Sequence, residues 1–345
     1  MKQLITITII LLSVTLNAQD FHFSQYSTAP LALNPGKAGL IDGNHRLALK
    51  IRDQWNSVLR ERAYKTAYLS YDAQACIGGS KSFFGIGFTG LYDQVGTHLY
   101  QTFSGNANFA YHQHITRNSY LSMGVQLGVL SYSIGRQAFQ FDEQFGAFGF
   151  DANAESFEDF ESFTSNLMLD ISPGLLYYNT DLKIQLGIAA FHVNRPAYSF
   201  IGLTQTNDPR VNTRLVLHAS APVKSSRKNS LIVKQLIMAQ KFIPNILYWQ
   251  SVTSAHWKHQ FNNVSSNHLK VGLGGRLSRN LSTQKPIIDA LIVYAQLNLH
   301  PLTIGLSYDL NLSALSQVSL FRSGPEISVM YHFDDSWECV NCKGF

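Results

Sequence analysis

Histidines are the residues of this chain that we consider first as metal ligands. Among its twelve histidines, His112 and His114 are two apart within a strand-like segment. Residues two apart on a β-strand share one face, so this pair could bind a metal together. His256 and His259 are three apart near the end of another such segment. A third ligand would have to come from a neighbouring strand, so we interpret them as interfacial or inward-facing polar residues and predict no metal site.

The chain also contains three cysteines. Cys339 and Cys342 form a C-x-x-C pattern at the C-terminus, and Cys76 is alone in a predicted turn. In an oxidising compartment the terminal pair could form a disulfide or cap a small metal site. A single C-x-x-C without a second ligand pair is a weak indication of zinc. We therefore expect a disulfide between Cys339 and Cys342, or free thiols, rather than metal or redox chemistry.

Catalytic motifs are missing from the sequence. It contains no G-x-S-x-G elbow, no H-E-x-x-H pair and no phosphate-binding P-loop. We therefore predict that the protein is not an enzyme, that it has no catalytic residues and that it needs no cofactor.

The first 18 residues have the pattern of a Sec-type signal peptide. Lys2 supplies the positive charge, residues 4–16 form a short apolar stretch, and Ala18 precedes the expected cleavage ahead of Gln19. The apolar stretch is too short for a comfortable transmembrane helix. An uncleaved anchor is the alternative. No cysteine follows the leader, so we expect no lipoprotein anchor.

The composition favours a membrane β-barrel over a soluble secreted protein. No second run of about 18 apolar residues follows the leader, so we predict no helical membrane span. Charged residues make up only 14% of the chain, whereas soluble domains average about 25%. A barrel needs few charges because lipids cover its outer face. The barrel is expected to contact outer-membrane lipids, and its net charge of +5 favours anionic headgroups. Because the positive charges are spread along the sequence, we expect no contact with nucleic acid.

Segments of alternating polar and apolar residues recur along the whole chain, as they do in membrane strands. The segment at 46–55, for example, alternates Leu47, Leu49 and Ile51 with Ala48, Lys50 and Arg52. The pattern predicts an all-β fold, a transmembrane antiparallel up-and-down β-barrel of about 14 strands with a short N-terminal entry segment. The predicted strands are 46–55, 64–71, 83–92, 103–115, 120–132, 167–179, 182–193, 213–221, 231–238, 246–257, 269–277, 290–299, 302–310 and 326–333.

The connections between these strands differ in length in an ordered way. Outer-membrane barrels have short periplasmic turns and longer outer loops. The short connections at 116–119, 179–181 and 300–301 fall on the predicted periplasmic side, whereas the long ones at 136–166 and 195–212 fall outside. The domain boundaries that follow are 1–18 for the signal peptide, 19–44 for the entry segment, 45–333 for the barrel and 334–345 for a periplasmic tail.

The entry segment contains residues that restrict or free the backbone. Proline restricts φ and glycine tolerates a positive φ, so Pro30, Asn34, Pro35 and Gly39 are expected to fix its path. The segment could enter the lumen as a plug or pack beneath the barrel. Three residues of the first strand, Arg52, Gln54 and Trp55, complete this candidate motif, with Arg52 and Trp55 as anchors by hydrogen bonds and stacking. Trp55 could equally belong to an interfacial girdle.

The longest outer loop carries an acidic patch with interleaved phenylalanines. Its acidic residues are Asp151, Glu155, Glu158, Asp159 and Glu161. Their spacing does not match a calcium-binding EF-hand loop. The patch is either a solvated loop or a docking surface for a basic or aromatic partner.

Four motifs, in order, resemble the PorP/SprF family of type IX secretion proteins. The entry segment at 23–40, FSQYSTAPLALNPGKAGL, is similar to the family's FSQY…LNPAYAG opening, with Gly36-Lys37 in place of Ala-Tyr. The sequence RDQW at 52–55 resembles R-x-QW, FDEQF at 141–145 resembles F-G-DQF, and GPEIS at 324–328 resembles the closing strand. The resemblance covers nearly the whole mature chain.

This resemblance implies a function that composition does not. Family members are outer-membrane barrels of the type IX secretion and gliding-motility machinery, tied to protein secretion or surface retention of partner adhesins. The implied partners are the motor and periplasmic proteins of that machinery and a secreted surface adhesin. The alternative function is a solute-transport barrel, similar to a fatty-acid transporter or a porin.

Overall fold

The computed structural model describes most of the chain beyond the predicted leader. The described residues are 20–77, 80–96, 100–135, 144–146, 149–151, 164–200, 209–243, 246–261, 267–280, 283–313 and 316–333. No helix in this described part is long and apolar enough to cross a membrane.

Sixteen β-strands account for most of the described residues. Fourteen of them form one closed sheet, and β6 and β7 form a small separate hairpin. The strands are β1 (His45–Gln54), β2 (Tyr64–Cys76), β3 (Phe83–Val95), β4 (Tyr100–Thr116), β5 (Ser119–Ser133), β6 (Phe145–Gly146), β7 (Gly149–Phe150), β8 (Met168–Asn179), β9 (Ile184–Phe191), β10 (Arg214–Ser225), β11 (Asn229–Ile243), β12 (Ile246–Gln260), β13 (His268–Arg279), β14 (Pro286–Leu299), β15 (Leu302–Asn311) and β16 (Arg322–Phe333).

The sheet closes because the first strand pairs with the last. β1 and β16 are antiparallel, with His45 opposite Phe333 and Arg52 opposite Glu326. Every other strand of the barrel pairs with its neighbours in chain order, β5 with β8 across the hairpin. This is the up-and-down topology of an outer-membrane barrel, which leaves no strand edge unpaired. The predicted 14-strand antiparallel barrel is confirmed.

The two faces of the sheet differ in chemistry. On β1, Leu47, Leu49 and Ile51 point outward and are 39%, 45% and 51% exposed, while Lys50 and Arg52 point into the lumen and are buried. The same alternation of exposed and buried positions runs through β2, β3, β8 and β15. Exposed aliphatic side chains on every second position suit contact with lipid.

The longest connections of the barrel all lie at one of its two ends. At one end, here called the turn end, connections such as 117–118, 180–183 and 300–301 are short. At the opposite end, the loop end, the longest connections span 134–167 and 192–213. The first residue of β1, His45, and the last residue of β16, Phe333, both lie at the turn end.

The helical elements among the described residues are short. They include the one-turn α-helices α1 (Pro30–Leu33), α2 (Asn56–Leu59) and α3 (Ser316–Ser319). Three 3₁₀ turns lie at Tyr26–Thr28, Pro35–Lys37 and Arg60–Arg62.

Residues 20–44, here called the plug, lie inside the barrel. Leu31, Asn34 and Ala38 are fully buried, with the barrel wall around them. The plug begins near the start of β10 at the loop end, where Arg214 contacts it, and reaches β1 at the turn end. Of the two paths open to the entry segment, the structure shows the one through the lumen.

Candidate functional site: a plug anchored inside the barrel

The plug is folded by local turns that its sequence specifies. Pro30 and Pro35 each occupy the first position of a short helix, where a missing N–H costs nothing. The Asn34 side chain accepts a hydrogen bond from the Gly36 N–H at 2.8 Å and so caps the second of these turns. Gly39 has a φ of 73°, which favours glycine. These turns give the segment a compact path that fits within the barrel.

A buried carboxylate anchors the first half of the plug. Glu326 on β16 accepts the backbone N–H groups of Ser24 and Gln25 at 2.6 and 2.9 Å. Its charge is balanced by Lys50 Nζ at 3.1 Å and Arg52 Nε at 3.2 Å, both on β1. We call these five residues the latch. Because all three charged side chains are buried, each charge depends on its partners within the lumen.

A second carboxylate extends the latch along the wall. Asp309 on β15 accepts a hydrogen bond from Ser24 Oγ at 2.6 Å and contacts Arg52 Nη2 at 3.2 Å and Arg276 Nη1 at 2.8 Å. Arg276 also pairs with Asp289 at 2.5 Å. Three cations and three carboxylates therefore form one network from β1 to β13. A balanced buried network of this kind fixes geometry more than it adds net stability.

Gln25 is a plug residue that forms hydrogen bonds with three strands of the wall, β1, β15 and β16. Its carbonyl accepts a hydrogen bond from Lys50 Nζ at 2.6 Å, and its side-chain amide donates to the Leu306 carbonyl at 2.9 Å. Its side-chain oxygen accepts from Ser328 Oγ at 2.8 Å. Gly305 leaves room for it, since a Cβ there would lie 2.7 Å from that oxygen. The site therefore selects both the shape and the polarity of glutamine.

Asn34 anchors the middle of the plug on the opposite wall. Its amide donates to the carbonyl of Leu175 on β8 at 2.9 Å and to that of Ile188 on β9 at 3.2 Å. A Cβ on Gly174 would overlap the Asn34 side chain. Because Gly174 has no side chain, the Asn34 amide can approach the strand backbone closely enough to bond to these carbonyls.

The turn-end half of the plug lies directly on wall glycines. A Cβ at Gly85 of β3 would overlap the Ala38 carbonyl, and a Cβ at Gly124 of β5 would overlap the Gly36 backbone. His112 Nε2 lies 2.8 Å from the Ala38 carbonyl oxygen and donates to it. Backbone contact at this distance requires glycine in the wall, so these glycines form the seat of the plug.

The same half is held by a buried ion pair. Asp72 on β2 accepts two hydrogen bonds from Arg46, at 2.9 and 2.7 Å, and one from the Gly39 N–H at 3.0 Å. Arg46 also donates to the Leu40 carbonyl. Nearby, Lys37 donates to Gln185 at 2.8 Å, and burial together with the charge of Arg46 lowers the pKa of Lys37 to about 8.

An ionic clamp holds the loop-end tip of the plug. Asp20 lies 2.9 Å from His192 Nε2 and 3.3 Å from Arg214 Nε, and His192 Nδ1 lies 2.8 Å from Asp170. Burial alone would lower the pKa of His192, but the Asp20 and Asp170 carboxylates outweigh it and raise the pKa to about 9. Burial would raise the pKa of Asp20, but Arg214 and His192 hold it well below its usual value. Both groups are therefore charged at neutral pH.

The structure brings together most of the candidate motif from the sequence. Pro30, Asn34, Pro35 and Gly39 shape or anchor the plug, and Arg52 belongs to the latch. Gln54 and Trp55 lie beyond the latch at the loop end. There, the Trp55 N–H donates to the Ser323 carbonyl at 2.6 Å, and Trp55 has a φ of 63°.

Sequence reasoning did not assign the carboxylates that hold the plug. Glu326, Asp309 and Asp72 are all buried and face the lumen. The sequence pattern that could have identified them is a charged residue at an inward-facing position of a strand. Lys50 and Arg52 show the same pattern. Such residues are costly to bury and so indicate partners within the barrel.

Asp151 is the one acidic-patch residue within the described part of the chain. It follows the β6–β7 hairpin and donates its N–H to the Gln144 carbonyl. Its companions in the acidic patch, and the terminal cysteines, lie outside the described residues: Glu155, Glu158, Asp159, Glu161, Cys339 and Cys342.

Cys76 ends β2 and is disulfide-bonded, so the expectation that it stands alone is wrong. The chain contains three cysteines. An intramolecular disulfide of Cys76 therefore competes with the Cys339–Cys342 pairing expected from the sequence.

The candidate histidines have different neighbours from those of a metal site. His112 stacks on Phe83 at 4.2 Å, His256 lies 2.9 Å from Ser254 Oγ, and His259 lies 2.8 Å from Asn229. Within the described part of the chain, no three His, Cys, Asp or Glu side chains are grouped closely enough to bind a metal.

Comparison with known proteins identifies a family. The model of the family "Type IX secretion system membrane protein PorP/SprF" matches residues 15–331. No curated protein matches the sequence.

Solved structures with a similar fold include a hydrocarbon channel and a toluene transporter. CymD, a monoaromatic hydrocarbon channel, is 12% identical, with a TM-score of 0.50 and coverage of 89% of this chain and 93% of CymD. The Pseudomonas putida toluene transporter TodX is 12% identical, with a TM-score of 0.49 and coverage of 89% and 94%. At such identities the likeness shows the fold alone.

Proposed function

Because this chain belongs to the PorP/SprF family of type IX secretion system membrane proteins, we propose that it supports the export or surface anchoring of partner adhesins. The single observation that carries the proposal is the family match over 15–331, on a chain that folds as an outer-membrane barrel. We propose no catalytic step for it. Its contribution would be to bind and position proteins of the secretion and gliding machinery.

The anchored plug supports a role as a binding scaffold. The plug is bonded to the wall at the latch, at Asn34 and at Asp72, so its anchors run from one end of the lumen to the other. An exported polypeptide would have to displace all of these bonds to pass through this lumen. The partner is therefore expected to bind the outer surface of the protein at the loop end.

The sorting of the connections supports an orientation. Short turns are periplasmic and long loops are external in barrels of this kind. The turn end and the tail at 334–345 would then face the periplasmic and motor proteins. The loop end, including the connection at 134–167, would face the secreted adhesin. A signal peptide at 1–18 would direct the chain to this membrane.

Deletion of the gene tests the proposal. We expect the surface proteome to lose one or a few large adhesins, while other proteins exported by the same machinery remain. Loss of all such cargo would instead assign the barrel to the core machinery. Unchanged surface and secreted proteomes would contradict the secretion role.

Solute transport remains the rival function. The barrel fold that it shares with CymD is compatible with it, but a plug that contacts both walls of the lumen disfavours an open route. Steady solute flux through the purified wild-type barrel in liposomes would support transport. If the wild-type barrel shows no flux but a plug-deleted chain does, the scaffold role would be supported.

A further inference from the structure

The lumen is charge-balanced on one side and unbalanced on the other. Around β1, β2, β15 and β16 each buried cation has a carboxylate partner, as in Arg46–Asp72 and Lys50–Glu326. The lumen side of β11 to β13 carries three lysines besides Arg276 of that network. Within the described part of the chain, no ion pair includes Lys234, Lys258, Lys270 or the plug residue Lys37. We call these four residues the lysine cluster.

Strand register brings the lysines of the cluster together. Lys258 on β12 is directly opposite Lys270 on β13. Like charges at opposite positions of neighbouring strands repel each other. Lys234 is opposite Ser254, four residues from Lys258 along β12, which is about 13 Å at the rise of a β-strand. His256 lies between these two levels on the same face.

The partners of the cluster satisfy hydrogen bonds but not charge. Lys234 Nζ donates to Ser27 Oγ at 2.9 Å, and Lys37 Nζ donates to Gln185 Oε1 at 2.8 Å. Lys37, Lys50 and Lys270 all repel Lys234, and Lys183 repels Lys258. Asp42 at the turn end attracts Lys258. A single carboxylate does not balance so many positive charges.

Two members of the cluster lie near the turn end. Lys258 and Lys270 are half-buried and flank the β12–β13 connection at 261–267. Low-dielectric walls focus the field of such charges and attract anions. The lysines face the lumen and not the lipid side of the wall, so a soluble ligand is favoured. A single phosphate would meet only one level of a cluster that extends over about 13 Å.

We propose that the lysine cluster is a binding site for an extended acidic peptide segment, belonging to a separate periplasmic protein that enters the lumen from the turn end. Aspartate or glutamate side chains of that segment would pair with Lys258 and Lys270 first and with Lys234 deeper inside. The compartment of the partner rests on the orientation given above. The binding chemistry does not, so the test below can fail or succeed independently of the secretion role.

The test is binding of fluorescein-labelled hexa-aspartate to the full-length barrel in detergent, with labelled hexa-serine as the control peptide. We expect hexa-aspartate to bind, hexa-serine not to bind, and the affinity to fall with added salt. The triple variant Lys234→Gln, Lys258→Gln, Lys270→Gln should lose affinity at least tenfold. The variant Lys241→Gln, on the exposed loop-end part of β11, is the matched control and should bind as wild type does.

Folding of the triple variant is checked by its melting temperature. We expect this to be equal to or higher than that of wild type, because the substitutions remove repulsion. Equal binding by a well-folded triple variant would overturn the proposal. So would equal displacement of the peptide by inorganic phosphate at matched charge. Tenfold tighter binding by a chain ending at Phe333 would show that the protein's own tail fills the site and would overturn the separate partner.

Discussion

Removing the latch carboxylate should release the first half of the plug. Glu326→Ala deletes the acceptor of the Ser24 and Gln25 N–H groups and leaves Lys50 buried without its carboxylate, which lies 3.1 Å from Nζ. Removing one partner of a buried ion pair costs about 3–5 kcal/mol. If the cost falls on the closed state of the plug, opening becomes about 100- to 4,000-fold more frequent.

Native-state hydrogen exchange measures this opening directly. The amides of Ser24 and Gln25 should exchange faster in Glu326→Ala by the same factor, since both are protected by the carboxylate. The matched control is Asp289→Asn in the same network. The Asp289 side chain is 31% exposed. When its charge is removed, Arg276 still has Asp309 as a partner, at 2.8 Å. A partly exposed pair contributes only about 0–1 kcal/mol, so exchange should rise by no more than about fivefold.

A double variant separates the latch from general damage. Adding Lys50→Met to Glu326→Ala removes the orphaned cation, so part of the protection of Ser24 and Gln25 should return. Exchange of these amides in Glu326→Ala within threefold of wild type would refute the latch. So would a double variant less protected than the single one, because an orphaned charge could not then be the cause.

Three further predictions concern other parts of the plug. Gly85→Ala should displace the turn-end half and lower the melting temperature, whereas Gly90→Ala, with open space around its Cβ, should do so by less. The stabilisation contributed by His192 should be complete below pH 6.5 and lost as pH rises through about 9. The melting temperature of His192→Gln should therefore approach that of wild type by pH 10. The melting-temperature deficit of Asp20→Asn should shrink as pH falls below 3.8, the usual pKa of Asp20. Peptide mapping without reductant should recover Cys76 joined to the tail at 334–345.

Each of these has a result that would contradict it. Equal melting of the two glycine variants would mean that the plug does not rest on Gly85. A His192→Gln deficit that is the same at pH 6 and pH 10 would remove the clamp as a source of pH dependence. Recovery of a Cys339–Cys342 peptide would support the pairing expected from the sequence instead.

The plug explains why this barrel carries so many buried polar residues. Lumen positions such as Ser122, His112 and Tyr294 bond to plug backbone, the carbonyls of Gly36, Ala38 and Ser24 respectively. A segment with little regular structure has many free backbone groups, and each needs a partner when buried. The wall supplies those partners, so wall and plug specify each other.

Much of the fold was readable from the sequence because membrane strands alternate strictly. Lipid faces one side of each strand, so Leu47, Leu49 and Ile51 had to alternate with inward residues such as Lys50. Strand pairing followed as well, because neighbours in an up-and-down barrel are neighbours in the chain. The prolines and glycines of the entry segment also indicated a fixed path, though not where it runs.

Only the tertiary structure decided what fills the lumen and what holds it there. Ser24 and Glu326 are 302 residues apart, and no local pattern connects them. They meet because closure of the barrel pairs β1 with β16 and places Arg52 opposite Glu326. The sequence by itself determined the strands, their faces and the family motifs. The latch, the glycine seat and the lysine cluster depend on register around a closed sheet, which is a property of the whole chain.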